Sequence, residues 1–125
     1  MNAKNSFVKV LLLIFLLIGC SNLAYYQSID DRYEIIAADA LEDCSIQRKG
    51  QGGIRIHKGV NKVGKFGDYI YAKKTDGSYW ILNIIKDHDQ AKVTDCVIGP
   101  LDIKKCKNII KFKEQDNLKF EWQVK

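Results

Sequence analysis

The chain has 125 residues, 20 basic and 15 acidic side chains, a net charge of +5 and four cysteines. That length allows one modest hydrophobic core. Its mild, unclustered basic excess excludes the dense cationic face of a nucleic-acid binder and is better suited to an acidic partner.

In chain order, the first element is the apolar run Phe7 to Cys20, FVKVLLLIFLLIGC. Lys4 and Lys9 give it a positive start, Val10 to Ile18 is uninterrupted, and Gly19 is a small residue beside a cleavage point, the pattern of a secretory signal peptide. A spanning helix needs about 20 apolar residues, and this run meets Ser21 and Asn22 too soon.

Its end, Leu17-Ile18-Gly19-Cys20, resembles the lipobox of bacterial lipoproteins. The resemblance implies that residues 1–19 are removed, that Cys20 takes a diacylglyceryl group, and that the bilayer is a partner through that lipid. Each buried CH₂ contributes about 0.8 kcal/mol, so two or three acyl chains retain a protein that one would release. It implies a cell-envelope address. In a Gram-negative cell Ser21 points to the outer membrane facing the periplasm; in a Gram-positive cell the site is the outer face of the plasma membrane.

Residues 1–19 hold two lysines and no acid, so the mature chain carries 18 basic and 15 acidic side chains. Cys20 to Asp31 reads as the lipidated residue and a polar tether, and residues 32–125 as a single domain. Lipidation of Cys20 leaves Cys44, Cys96 and Cys106, enough for one bridge. Cys96 with Cys106 closes a short loop around a Gly-Pro turn, a gain of about 3 kcal/mol in the chain-entropy model. Cys44 with Cys96 closes a longer one for about 4 kcal/mol in that model. No close Cys/His pairs suggest a metal site, and no cofactor is expected.

Within the domain, Tyr33 to Ile36 starts regular structure, and Ala37 to Asp43 suits either a helical turn or a strand end. Cys44 to Lys49 and Ile54 to His57 read as a hairpin across Gly50-Gln51-Gly52-Gly53; the alternation at Ile54 puts a strand after the glycines, where a phosphate-binding loop needs a helix. Val60 to Phe66 is a further short strand.

Tyr69 to Lys74 and Tyr79 to Ile85 flank Asp76-Gly77, the signature of a two-residue hairpin turn. That turn sets Lys74 opposite Tyr79, Ala72 opposite Ile81 and Ile70 opposite Asn83. Tyr69, Tyr71, Trp80, Leu82 and Ile84 then share one face, which is either core or an aromatic recognition surface.

Lys86 to Gln90 reads as a solvated polar loop, and Val93 to Ile98 as a strand stopped by Gly99-Pro100. Apolar residues at 103, 106, 109 and 110 suit a short helix whose outer face carries Lys104, Lys105, Lys107 and Lys111, with a strand over Ile103 to Phe112 as the alternative. Leu118 to Val124 alternates as a last strand, set to pair with Ile110 and Phe112. The fold class is therefore α+β and β-rich, a small antiparallel sheet of about five to seven strands with one short helix.

The segments GDYIYAKK, GSYWILNI and VIGPLD, at Tyr69 to Lys73, Tyr79 to Leu82 and Gly99-Pro100-Leu101, are similar to a family of small bacterial lipoproteins of unknown function. The resemblance implies a fold and an address, and no catalytic residue. Departures from the pattern are the insert Lys86 to Asp95, the Cys96 and Cys106 pair, and a strand-like C-terminus.

These features favour a non-catalytic, membrane-tethered binding module. It would meet a protein partner or an anionic envelope component through Tyr69, Tyr71 and Trp80 or through Lys104 and Lys105. A narrower form is an immunity or inhibitor lipoprotein directed at a secreted toxin or wall hydrolase. An enzyme would need a convergent set such as Cys44 with His57, or Asp87 with His88.

Overall fold

The computed structural model describes residues 23–50 and 52–124. Cys20 and the stretch read as a signal peptide, residues 1–19, lie outside the described residues. Nine strands form two antiparallel sheets among these residues, more strands than the sequence pattern suggests and divided between two layers.

The first sheet runs in order β1 (Tyr25–Ser28), β2 (Tyr33–Ala37), β3 (Ser45–Arg48), β4 (Gly53–Ile56). Strand β1 falls within the stretch read as tether. Tyr25 pairs with Ala37 and packs on the core, Ile29 is buried, and Asp30 Oδ1 accepts from the N–H groups of Arg32 and Tyr33, which closes the turn into β2. The fold therefore starts by Tyr25. Between β2 and β3, Leu41–Asp43 makes a 3-10 turn, so the ambiguous Ala37 to Asp43 is both a strand end and a helical turn.

The second sheet has the order β8, β7, β6, β5, β9. Its strands are β5 (Val60–Phe66), β6 (Tyr69–Lys74), β7 (Tyr79–Asn83), β8 (Val97–Leu101) and β9 (Trp122–Gln123). The C-terminal strand pairs with β5 and not with Ile110 or Phe112. Pro100 lies inside β8; an edge strand tolerates the missing N–H that a central strand would need. Val93–Cys96, expected as strand, is a helical turn (α1), because the Asp95 carboxylate accepts from the Lys92 N–H and folds the backbone back on itself.

The two sheets pack face to face. Tyr33, Ile35, Ile46 and Ile56 from the first meet Val63, Ile70, Ala72 and Leu82 from the second in one core. On the second sheet's other face, Tyr71, Tyr79 and Ile81 pack beneath α2 (Ile103–Ile110), through Cys106 and Ile110, and beneath Leu118 of the C-terminal segment. The middle sheet is thus covered on both sides, which is why its strands are apolar on both faces. Helix α2 begins at Asp102, whose Oδ1 accepts from Lys105 N at 2.8 Å, and ends at Lys111 in the left-handed region with φ 61°. Asp102→Ala should lower stability by about 1 kcal/mol, measured by urea unfolding at pH 7.

The central hairpin differs in register from the two-residue turn. Lys73 faces Tyr79, Ala72 faces Trp80, Tyr71 faces Ile81 and Ile70 faces Leu82. Gly77 donates to the Lys74 carbonyl and takes φ 90°, and Asp76 Oδ1 accepts from Ser78 N, so three residues close the loop. One extra loop residue slips the pairing by one, and a slip of one reverses faces.

Candidate functional site

The changed register separates the aromatic residues that were expected to share a face. Tyr69 and Tyr71 look toward α2, with Tyr71 buried and its hydroxyl donating to the Lys119 carbonyl. Burial pushes the Tyr71 phenol up to about 12. Trp80 lies on the opposite side, half-buried at the rim of the sheet sandwich. Its Nε1 donates to Ser78 Oγ at 3.0 Å, and the Lys74 ammonium sits 4.2 Å from its ring centroid. No single aromatic recognition face results.

The cysteines are likewise separated. Cys44 and Cys96 belong to the core between the sheets, whereas Cys106 belongs to the core beneath α2. The middle sheet stands between Cys96 and Cys106, so the expected bridge is not formed and all three are free, buried thiols. Burial raises the pKa of each, to about 11 for Cys106. A thiol held protonated is a poor nucleophile. Cys44 is fully buried while His57 is exposed, and no hydrogen bond joins them among the described residues.

Sequence reasoning missed a charged cluster between the first sheet and the loop after β7. Asp87, placed in a solvated loop by its polar neighbours, is 1% exposed. Arg55 Nε donates to its Oδ1 at 2.9 Å, the Tyr33 hydroxyl donates to Oδ2, and Arg48 Nη1 lies 3.8 Å from Oδ1. Arg32 donates to the Asp87 carbonyl, and Arg48 also pairs with Asp89. Burial alone would raise the Asp87 pKa. The Tyr33 and Arg55 hydrogen bonds and the two guanidinium charges outweigh it and hold the carboxyl below the usual range.

Arg55 reaches this carboxylate because the β3/β4 ladder shifts register between Ile46 and Gln47, pairing Ile46 with Ile56 and Gln47 with Ile54. Arg55 is the bulged residue, and the bulge turns it inward beside Ile56 against the alternation of the sequence. The cluster ties the first sheet to the loop that follows β7, so its chemistry is that of a clasp. His88 stays exposed, with Nδ1 accepting from Gln90 N.

One accessible charged surface is the outer side of α2. Lys104 and Lys105 are exposed there, as expected, and line a cleft with Lys107, Asn108, Phe112 and Glu114. Lys111 is exposed at the helix end. Lys107 departs from the expected exposed row: its stem is buried, and its ammonium donates to the Glu114 carbonyl at 3.1 Å. Phe112 forms the apolar wall, edge-on to Phe66 at a centroid distance of 5.1 Å. No helix among the described residues is long and apolar enough to cross a membrane.

No protein-family model matches the chain, and neither a curated protein nor a solved structure matches it.

Proposed function

We propose that this chain is a lipid-anchored protein of the bacterial cell envelope, acylated at Cys20, that acts as a non-catalytic binding module through the basic face of α2. The observation that carries the reading is the apolar run ending in Leu17-Ile18-Gly19-Cys20, five residues ahead of the first strand. Five extended residues span at most ~18 Å, so the acyl chains would hold the domain close to the headgroups. Support for binding comes from the distribution of charge. Asp87, Arg48 and Arg55 spend their charge on one another between the first sheet and the loop after β7, whereas Lys104, Lys105 and Lys107 line a cleft that opens to solvent.

The test is acylation. Full-length protein expressed in a bacterial host and fed a clickable palmitate analogue should incorporate the label and lose residues 1–19, as read by intact mass. Cys20→Ala should take no label and keep its leader. Label incorporated equally by Cys20→Ala would overturn the anchor. Because an uncut leader can itself hold a chain in the membrane, the mass and the label decide the matter, and fractionation does not.

A further inference from the structure

The cleft beside α2 contains a cation that the protein only partly satisfies. Lys107 is 9% exposed, yet its ammonium, with three N–H donors, has one hydrogen bond among the described residues, to a backbone carbonyl. That ammonium is only part-buried and lines the cleft. No carboxylate among the described residues forms an ion pair with Lys107, although the acid of Glu114 is close by in sequence: that side chain is 75% exposed and sits 3.9 Å from Lys104. Asp102, at the other end of the cleft, spends Oδ1 on the Lys105 backbone.

We propose that this cleft binds the phosphate group of an organic phosphate, with Lys107 as its central contact, Lys104, Lys105 and Asn108 around it, and Phe112 against the ligand's apolar part. The proposal rests on the reading of α2 as the contact face. Charge decides the sign of the ligand. Residues 20–56, which end with the first sheet, hold six acids and four bases, whereas residues 57–125 hold fourteen bases and nine acids, so the basic excess lies in the part of the chain that builds the middle sheet and α2. Geometry of the donors decides the class. A planar carboxylate is best met by the fork of an arginine, whereas separate ammonium point charges suit an anion that presents oxygens in several directions. Removing Lys107 should not unfold the domain, because Met in its place keeps the buried stem and relieves an under-paired cation.

The experiment titrates full-length protein in a neutral detergent with glycerol 3-phosphate, with glycerophosphoglycerol, and with acetate at matched ionic strength, followed by calorimetry. Saturable binding of a phosphate probe is expected, weakened about tenfold or more in Lys107→Met, the worth of one charge-assisted hydrogen bond. Lys105→Met, at an exposed position that cannot disturb the core, should weaken it less, and Lys58→Met on the other layer should leave it unchanged. Binding of the monoester alone points to a soluble phosphate, and binding of the diester to a lipid headgroup or phosphodiester polymer; either supports the site. Equal affinity in Lys107→Met and the parent, no saturable binding of either phosphate, or acetate competing as well as phosphate would overturn it. Lost phosphate binding with Cys20 still acylated sinks the site alone, and an unlabelled Cys20 with phosphate binding intact sinks the anchor alone.

Discussion

Asp87→Ala is expected to lower the stability of the domain by about 3 to 5 kcal/mol, because it strands the buried Arg55 guanidinium and the Tyr33 hydroxyl together. Against a total of about 5 to 15 kcal/mol for a domain of this size, that is a large fraction. Thermal unfolding followed by circular dichroism at pH 7 should show the midpoint falling by more than about 10 °C. A variant within about 1 kcal/mol of the parent would mean the clasp carries no net stability. The effect should depend on pH in one direction. The folded-state pKa of Asp87 is lowered, so its contribution is complete above the ordinary aspartate value of about 3.9 and is lost as pH falls through the folded value. The gap between parent and Asp87→Asn should therefore narrow in acid and hold constant from about pH 5 to 8.

Gly64→Ala is expected to cost about 3 kcal/mol, at the upper end for overpacking. Gly64 faces Tyr71 across the β5/β6 ladder, and a methyl group there would fall inside van der Waals contact of the Tyr71 ring and the Lys119 carbonyl. Neither neighbour can easily yield. The carbonyl is backbone, and the Tyr71 ring is buried beneath α2 with its hydroxyl bonded to that same carbonyl. The loss should be local first. Amide exchange should accelerate at residues 118–124, the segment that Lys119 and β9 dock onto β5, while the core strands β6 and β7 exchange at rates set by global unfolding. Uniform acceleration across both strands and segment would show that the C-terminal segment is not a separate unit.

Neither Gly64 nor Asp87 announces its role in the local sequence. Gly64 stands inside the short strand Val60 to Phe66, and its close approach to Lys119 pairs positions 55 residues apart in the chain. Asp87 stood among Lys86, His88, Asp89 and Gln90, a composition that describes a solvated turn, and four of those five residues are indeed exposed. The exception needed Arg55, whose inward orientation comes from a β-bulge that no local pattern announces.

The chain itself determined the β-rich character, the glycine hairpin between β3 and β4, the existence of the central hairpin and the helix at Ile103–Ile110, because each rests on periodicity or turn chemistry within a few residues. It also placed Lys104 and Lys105 on an exposed helical face. Tertiary structure alone decided the rest. A hairpin loop of three residues in place of two reversed the faces of β6 and β7, separating Tyr71 from Trp80. Stacking the second sheet between the first sheet and α2 put Cys96 and Cys106 in different cores, where a short loop in sequence gives no proximity in space. Burial of the Lys107 stem came from the same stacking, since the helix had to lay that side against the C-terminal segment. Local physics specifies the elements, and long-range packing decides which of their side chains meet.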